Sequence, residues 1–185
     1  FLGCFVYNPR YGVANGVAEL ERHVREYGFK MVQFQANMHA YRPGRAKDWL
    51  RPAMQKCAEL GVPVSLQVGH VLEGMPSDCA RPINLDRVAC DFPDLKIVGA
   101  HTGWPWVDEL LSVCYKWDNV WFGVDAWMPK YLKPEIINFI NSRMGMDRAV
   151  WGTNWLPWKE SLDQVDALGL RPEARQKLIR DNARE

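Results

Sequence analysis

Short apolar runs alternate along this chain with longer segments in which apolar residues recur every three or four positions. Six runs have the length and the β-branched or aromatic content of buried strands: residues 1–7, 29–36, 62–68, 97–100, 120–124 and 149–152. The helical spacing is clearest in 16–27, where Val17, Leu20, Val24 and Tyr27 fall on one face. Further helices are expected at 49–60, 85–92 and 107–115. The pattern therefore predicts repeated βα units of roughly thirty residues each.

Two α/β architectures accommodate such units: an open doubly wound sheet and a closed (β/α)₈ TIM barrel. No glycine-rich phosphate loop of the GxGxxG or GxxxxGK[ST] kind follows any predicted strand, which weakens a nucleotide-binding sheet. Polar residues instead follow several strands: His39, Gln67, His70, His101, Asp125 and Asn154. Many strand ends meeting at one rim are typical of a barrel. The sequence predicts a single α/β domain over 1–185, a TIM barrel with six βα units that lacks its first two strands.

Composition and charge narrow the classes of function. The chain is 48% hydrophobic and 24% charged, which is ordinary for a globular protein. The net charge is +1 with acids and bases interspersed, so no basic surface for nucleic acid stands out. No apolar run approaches the length of a membrane helix, and five scattered cysteines without a CxxC pair fit reduced thiols. These features predict a cytoplasmic protein that acts on a small molecule, with neither nucleic acid nor membrane as a partner.

Two further features concern the N-terminus and the tryptophans. The sequence begins at Phe1 rather than at methionine, inside a segment that already has the pattern of a core strand, so we expect a segment to be missing before it. Nine tryptophans are present, and five of them flank two predicted strand ends: Trp104, Trp106, Trp151, Trp155 and Trp158. This clustering predicts an aromatic-walled cavity, with core packing as the alternative.

The stretch 96–106 (KIVGAHTGWPW) contains the strongest candidate for chemistry. A buried strand ends there at His101, followed by Thr102 and Gly103. A polar residue at the end of a parallel strand points toward the active face of an α/β protein, and histidine side chains exchange protons near neutral pH. We therefore expect His101 to be catalytic, as a general acid or base or as a polariser of a substrate carbonyl. The alternative is a structural histidine that caps the strand.

Several segments, taken in order, carry a family resemblance: ELE to GFK (19–30), AELGVPV (58–64), DFPDLKIVGAHTG (91–103), WDNVW (117–121), DRAVWGTNWLP (147–157) and DNAR (181–184). They resemble the amidohydrolase-2 branch of the metal-dependent hydrolases. That branch includes aminocarboxymuconate-semialdehyde and resorcylate-type decarboxylases and pyrone-dicarboxylate lactonases. The ordered set is specific for the family but not for any substrate.

The resemblance implies a distorted (β/α)₈ barrel with its site at the carboxyl ends of the strands. In metal-using members the ligands are an HxH-type pair on the first strand, a histidine on the fifth and an aspartate on the eighth. Here those last two positions hold Gln67 and Asn154, and only the sixth-strand histidine, His101, is kept. Neutral amides in place of imidazole and carboxylate bind a divalent ion poorly. We therefore predict no metal ligand. Zinc or another divalent metal stays open if the missing N-terminus supplies ligands, with His70 or His101 completing the set.

The candidate residues fall into two groups. His101 and Asn154 are the predicted catalytic residues, with Asn154 donating a hydrogen bond to an oxyanion. The predicted substrate-binding residues are Gln67, His70, Asp125, Arg42, Trp104 and Trp155. Arg42 could clamp a carboxylate or simply be solvated loop charge, and Asp125 could orient water, pair with an arginine or cap a helix.

Three functions from different classes are compatible with this site. The first is a hydrolase for a small carboxylated or lactone-like ring compound that works without metal, and we favour it. The second is a metal-dependent non-oxidative decarboxylase, and the third is a binding relative without catalysis. The resemblance also implies a homodimer.

Overall fold

The structure is a computed structural model that describes residues 2–9, 12–35, 49–72, 74 and 76–185. Its strands are β1 (Cys4–Val6), β2 (Met31–Phe34), β3 (Val64–Gln67), β4 (Ile97–Ala100), β5 (Val120–Val124) and β6 (Ala149–Trp151). Its α-helices are α1 (Val13–Arg25), α2 (Arg51–Leu60), α3 (Asn84–Asp91), α4 (Val107–Lys116), α5 (Pro134–Asn141), α6 (Trp158–Asp166) and α7 (Pro172–Gln176). Short 3₁₀ turns lie at Ser77–Ala80, Pro129–Tyr131 and Asn182–Arg184, and a π-helical turn at Lys177–Asp181.

The strand order decides between the two architectures that the sequence allows. All neighbouring strands are parallel, and the order in the sheet is the order in the chain, β1 to β6. A doubly wound sheet reverses its order at a switch point, whereas this sheet does not. Right-handed crossovers between successive neighbours place all helices on one face, so the sheet curls with its other face inward. The prediction of an incomplete TIM barrel with six βα units is confirmed.

Side-chain alternation assigns the two faces of the sheet. Val64 and Leu66 of β3 pack in the apolar core between the sheet and the helices, so Ser65 and Gln67 lie on the inner face. On β4, a side chain at Gly99 would meet Leu110 of α4, which places Gly99 on the helix side as well. The inner face thus carries most of the polar strand residues, and its upper end forms the candidate site.

The predicted boundaries hold best in the middle of the chain. Strands β4 and β5 begin and end as the pattern predicts, and the other strands are shorter at one or both ends. Gly61 closes α2 in the left-handed conformation at φ 66°, as expected of a C-terminal glycine. Helix α1 differs from expectation because it ends at Arg25, and Gly28 (φ 71°) instead forms the turn into β2. Among the described residues, no helix has the length and apolar character needed to cross a membrane.

Candidate active site at the carboxyl ends of the strands

Backbone conformation marks the carboxyl ends of β4, β5 and β6. Four non-glycine residues among those described have positive φ: His101 (72°), Ala126 (64°), Asn154 (46°) and Trp155 (72°). Each lies within four residues of the end of one of these strands. Left-handed backbone is costly for side chains with a Cβ atom and is found disproportionately at functional sites. The strained positions therefore indicate that the site is at this rim.

His101 and Asp125 come together across β4 and β5. The backbone N–H of His101 donates a hydrogen bond to Oδ1 of Asp125 at 2.7 Å. The ring nitrogen Nδ1 of His101 lies 3.3 Å from Oδ2 of the same carboxylate. That distance suits an ion pair with a protonated imidazole, but Nδ1 is not aligned for a hydrogen bond within the described residues. Both side chains are about four-fifths buried, with 19% and 21% of their surface exposed.

Two glycines make room for this carboxylate. A Cβ atom on Gly123 would lie 2.5 Å from Oδ1 of Asp125 and 3.2 Å from the backbone nitrogen of His101. A Cβ atom on Gly152 would lie 3.2 Å from Cβ of Asp125. Contacts of 2.5 Å do not occur between real atoms of this kind, so Gly123 is required for the observed position of the carboxylate. Asp125 is thus held over β5 and β6 rather than extended into solvent.

The loop after β3 is pinned to the loop after β4. The backbone N–H of His70 donates to the carbonyl of Trp104 at 2.6 Å. A Cβ atom on Gly69 (φ 100°) would lie 2.8 Å from that same carbonyl oxygen, so the close approach depends on glycine. The imidazole of His70 is exposed, with Nδ1 3.3 Å from the hydroxyl of Ser77. This arrangement brings His70 to the rim beside Trp104.

An ion pair anchors the same loop from the other side. The guanidinium of Arg81 pairs with Glu109 of α4 and lies over the ring of Trp106 at 5.7 Å. The hydrogen bond from Arg81 and the charge of Glu109 raise the pKa of Arg81. Glu109 also accepts the backbone N–H of Ile83 at 3.2 Å. The loop that carries His70 is therefore fixed to α4 at two points.

The aromatic cavity expected from the tryptophans is lined by a pair of tryptophans of which one, Trp104, belongs to the predicted set and the other does not. Trp104 and Trp127 lie with ring centroids 5.8 Å apart, and both line a cavity of about 200 Å³. Trp155 is fully exposed, and Trp158 is 65% exposed. Neither lines this cavity, because Trp155 projects from an exposed turn and Trp158 begins α6. Trp127 was missed by sequence reasoning, although its place two residues after Asp125 put it at the same rim.

The remaining predicted residues are less closely gathered. Gln67 lies on the inner face at the end of β3, paired in register with Ala100. Asn154 is exposed in a turn closed by the hydrogen bond from Leu156 to Thr153. The described residues therefore do not enclose its amide in the dry surroundings that an oxyanion donor needs. Arg42 and His39 lie outside the described residues. The substrate-binding and catalytic roles of these residues stay predictions.

A second cavity of about 190 Å³ lies on the helix-covered face, between α2 and α3. Its floor is apolar, formed by Phe34, Leu66 and Val68, and charged side chains such as Arg51 and Asp91 stand at its edge. Gln67, at the end of β3, also lines it, but neither His101 nor Asp125 does. We therefore place the candidate site at the rim.

The fit of a divalent metal depends on the donor set. Within the part of the chain that the structure describes, no three histidine, cysteine, aspartate or glutamate side chains are close enough to hold one ion. The donors nearest the expected site are one imidazole and one carboxylate, and Gln67 adds only a neutral amide. The described residues therefore do not form a complete divalent site by themselves.

Comparisons with known proteins show which family and which solved structures the chain is similar to. A family model described as Amidohydrolase matches residues 1–185. No curated protein matches the chain significantly. A solved structure of an uncharacterized TIM-barrel protein from Bordetella bronchiseptica has 27% identity, a TM-score of 0.81, and covers 99% of this chain. Dihydroorotase from Campylobacter jejuni has 13% identity, a TM-score of 0.62 and covers 90% of this chain, a likeness in fold alone. The chain spans only 64% and 60% of the lengths of these two proteins.

Proposed function

The chain belongs to the amidohydrolase family, and we propose that it is a hydrolase of small carboxylated or lactone-like ring compounds with His101 as its general base. The observation that carries the proposal is the pairing of His101 with Asp125 at the carboxyl ends of β4 and β5. One fold hosts many reactions, so the family supports the class of reaction and the site must supply the rest.

The pair divides the chemical work between its two members. With Nδ1 facing Asp125 and carrying a proton, Nε2 of His101 keeps a lone pair for a water molecule. Nε2 takes one proton from that water as its oxygen bonds to the carbonyl carbon of the substrate. The same proton then passes to the ring oxygen as the carbon–oxygen bond breaks, which gives a hydroxy acid. Asp125 orients the imidazole and stabilises its transient positive charge.

The proposal also states that the reaction proceeds without a divalent metal bound at residues 67, 101 and 154. Its support is the chemistry of the side chains, because Gln67 and Asn154 are neutral amides, which bind a divalent ion poorly. A homodimer and a location in the cytoplasm belong to the same proposal. Five free cysteines, two of them buried, support a reducing compartment.

Turnover of candidate substrates by the purified protein tests the proposal. Lactones and aryl esters that carry a ring carboxylate are incubated with the wild type, and the released acid is titrated at constant pH. We expect His101→Gln to lower turnover by at least about a hundredfold, the contribution usual for a general base. His23→Gln on α1 is the control, since it changes a histidine outside the site and should leave turnover unchanged.

Four other outcomes of these experiments would contradict part of the proposal or favour one of its alternatives. Equal turnover in His101→Gln and the wild type would exclude His101 as the base. Loss of turnover on chelation, restored by zinc, would contradict the metal-free part and favour the metal-dependent alternative. Release of carbon dioxide in place of titratable acid would favour a decarboxylase. Binding of the same compounds without turnover would favour a binding relative.

A further inference from the structure

A cavity of about 200 Å³ is lined by Thr102, which follows His101, and by Trp127, two residues after Asp125, and we propose that it is the subsite for the flat ring of a ring carboxylic acid, with the carboxylate at Lys133. The proposal deepens the proposed function, on which it rests for the reaction that follows binding. The binding step is a property of the cavity itself and can be measured without turnover.

The position of the cavity connects it to the pair. Thr102 lines the cavity and directly follows His101, while Trp127 lines it and follows Asp125 by two residues. The two loops that carry the catalytic pair therefore also carry two walls of the cavity. A ligand seated there would contact Thr102 and Trp127, one and two residues beyond His101 and Asp125, although neither member of the pair lines the cavity itself.

The upper walls are aromatic. The rings of Trp104 and Trp127 lie 5.8 Å apart at 53°, so they form a corner rather than a parallel slot. His70 meets the other side of Trp104 edge-on at 5.6 Å and supports it. Each tryptophan is 40% exposed, which leaves part of each ring available to a ligand. Flat rings pack edge-to-face or offset against such surfaces.

Most of the buried residues that line the cavity are apolar. Val107, Leu132 and Ile136 line it, with 3%, 8% and 2% of their surface exposed. Thr102 also lines the cavity and is 4% exposed. A cavity of roughly 150 Å³ with such a lining holds one benzene ring. The volume here therefore suits a single ring with one substituent, not a larger polycyclic or polymeric substrate.

The edge of the cavity supplies a positive charge. Lys133 lines it from the position just before α5, and its side chain is exposed. No carboxylate among the described residues pairs with its ammonium group. An unpaired cation at the mouth of an apolar cavity is complementary to a ligand whose apolar ring ends in a carboxylate. This role was assigned to Arg42 by sequence reasoning, and Lys133 was missed.

Binding of 4-fluorobenzoate, followed by ¹⁹F NMR titration of the full chain, tests the subsite. Trp127→Ala should weaken binding about tenfold because it removes one aromatic wall. Trp127→Leu should recover part of the loss, which shows that the site itself still folds. Lys133→Gln should weaken 4-fluorobenzoate about three- to fivefold, as expected for an exposed ion pair, and leave neutral 4-fluorobenzyl alcohol unchanged. Trp158→Ala and Lys159→Gln are matched controls outside the cavity.

Two results would overturn the inference. One is equal weakening by Trp127→Ala and Trp158→Ala, and the other is the same change for the acid and the alcohol in Lys133→Gln. His101→Gln separates this inference from the proposed function. If that variant binds 4-fluorobenzoate normally and keeps full turnover, the subsite stands and the catalytic assignment fails. If the titration shows no binding while turnover depends on His101, the catalytic assignment stands and the subsite fails.

Discussion

At the scale of single residues, Asp125 holds the site together because one carboxylate meets two groups of His101. One oxygen accepts the backbone N–H of a residue in the left-handed conformation, and the other lies 3.3 Å from the imidazole. We expect Asp125→Asn to lower kcat at least about a hundredfold with little change in KM, because the amide can still accept the backbone N–H but supports the imidazolium poorly. Steady-state kinetics with the substrate of the wild type measures both parameters.

The effect of substitutions at Asp125 on the free energy of unfolding can be measured separately from their effect on kcat. Asp125→Ala leaves the partly buried N–H of His101 without its acceptor and should lower the free energy of unfolding by about 1–3 kcal/mol. Asp125→Asn should lower the free energy of unfolding much less. Asp163→Asn, on the exposed face of α6, is the control for the change of charge. A proportional fall of kcat and stability in all variants would show that Asp125 is only structural.

Gly123 gives a second prediction at this scale. A methyl group there would lie 2.5 Å from Oδ1 of Asp125, so Gly123→Ala must displace the carboxylate. We expect turnover to fall at least tenfold, a change of about 1.4 kcal/mol in the barrier. Gly28→Ala is the matched control, since nothing lies within 4 Å of its Cβ position and the cost there comes from backbone conformation alone. Equal turnover in Gly123→Ala and the wild type would contradict the geometry of the pair.

The sequence identified His101 and Asp125 as strand-end residues but did not reveal that they pair. Pairing depends on the register between β4 and β5, in which Gly99 lies opposite Phe122, and register is set by packing over the whole sheet. Trp127 and Lys133 were missed because they follow β5 in a segment without a motif. Trp155 looked equivalent to Trp104 in sequence, yet a turn with positive φ at both Asn154 and Trp155 carries it into solvent.

At the scale of elements, α3 and α4 are joined by one acidic side chain. Asp86 accepts hydrogen bonds from Lys116 and from the indole of Trp117, both at 2.7 Å. These bonds, chiefly that from Lys116, lower the pKa of Asp86 below its ordinary value of 3.8. The folded state therefore binds the Asp86 proton more weakly than the unfolded state, so this contribution is present above about pH 4 and is lost as the pH falls through the folded pKa.

Asp86→Asn tests this contribution by urea unfolding at pH 7, 5 and 3. At pH 7 the variant should be less stable by about 0.5–1 kcal/mol, because both charged partners are partly exposed and screened. The difference should shrink toward pH 3, because the carboxylate of the unfolded chain takes up its proton there before that of the folded chain and the wild type loses this contribution. A difference that is constant with pH would mean that Trp117 packing, and not the charge of Asp86, accounts for the effect.

At the scale of the whole molecule, the alternation of elements in the sequence was sufficient to predict the barrel class, and sequential strand order confirms it. The sequence does not predict how the side chains on the inner face of the sheet pack and hydrogen-bond. Two buried nitrogen atoms have no hydrogen-bond partner within the described residues: Nδ1 of His101, which directly follows β4, and Nε1 of Trp121 on β5.

A single domain over 1–185 remains a prediction, and two cysteines allow it to be tested. Cys57 on α2 and Cys114 on α4 are buried in the same apolar core, and burial raises the pKa of each thiol to about 12. Both should therefore be inert to a thiol reagent at pH 8 in the native state, whereas exposed Cys90 should react at once.

The dependence of their labelling on urea distinguishes one domain from two. If α2 and α4 belong to one cooperative unit, both thiols are exposed only by global unfolding. The free energy of the opening that exposes Cys57 to the reagent should then equal that for Cys114, and both free energies should fall with urea at the same slope. Mass spectrometry of peptides after timed labelling gives both values in one experiment. A smaller slope for Cys57 alone would show that β1 to β3 open separately from β4 to β6.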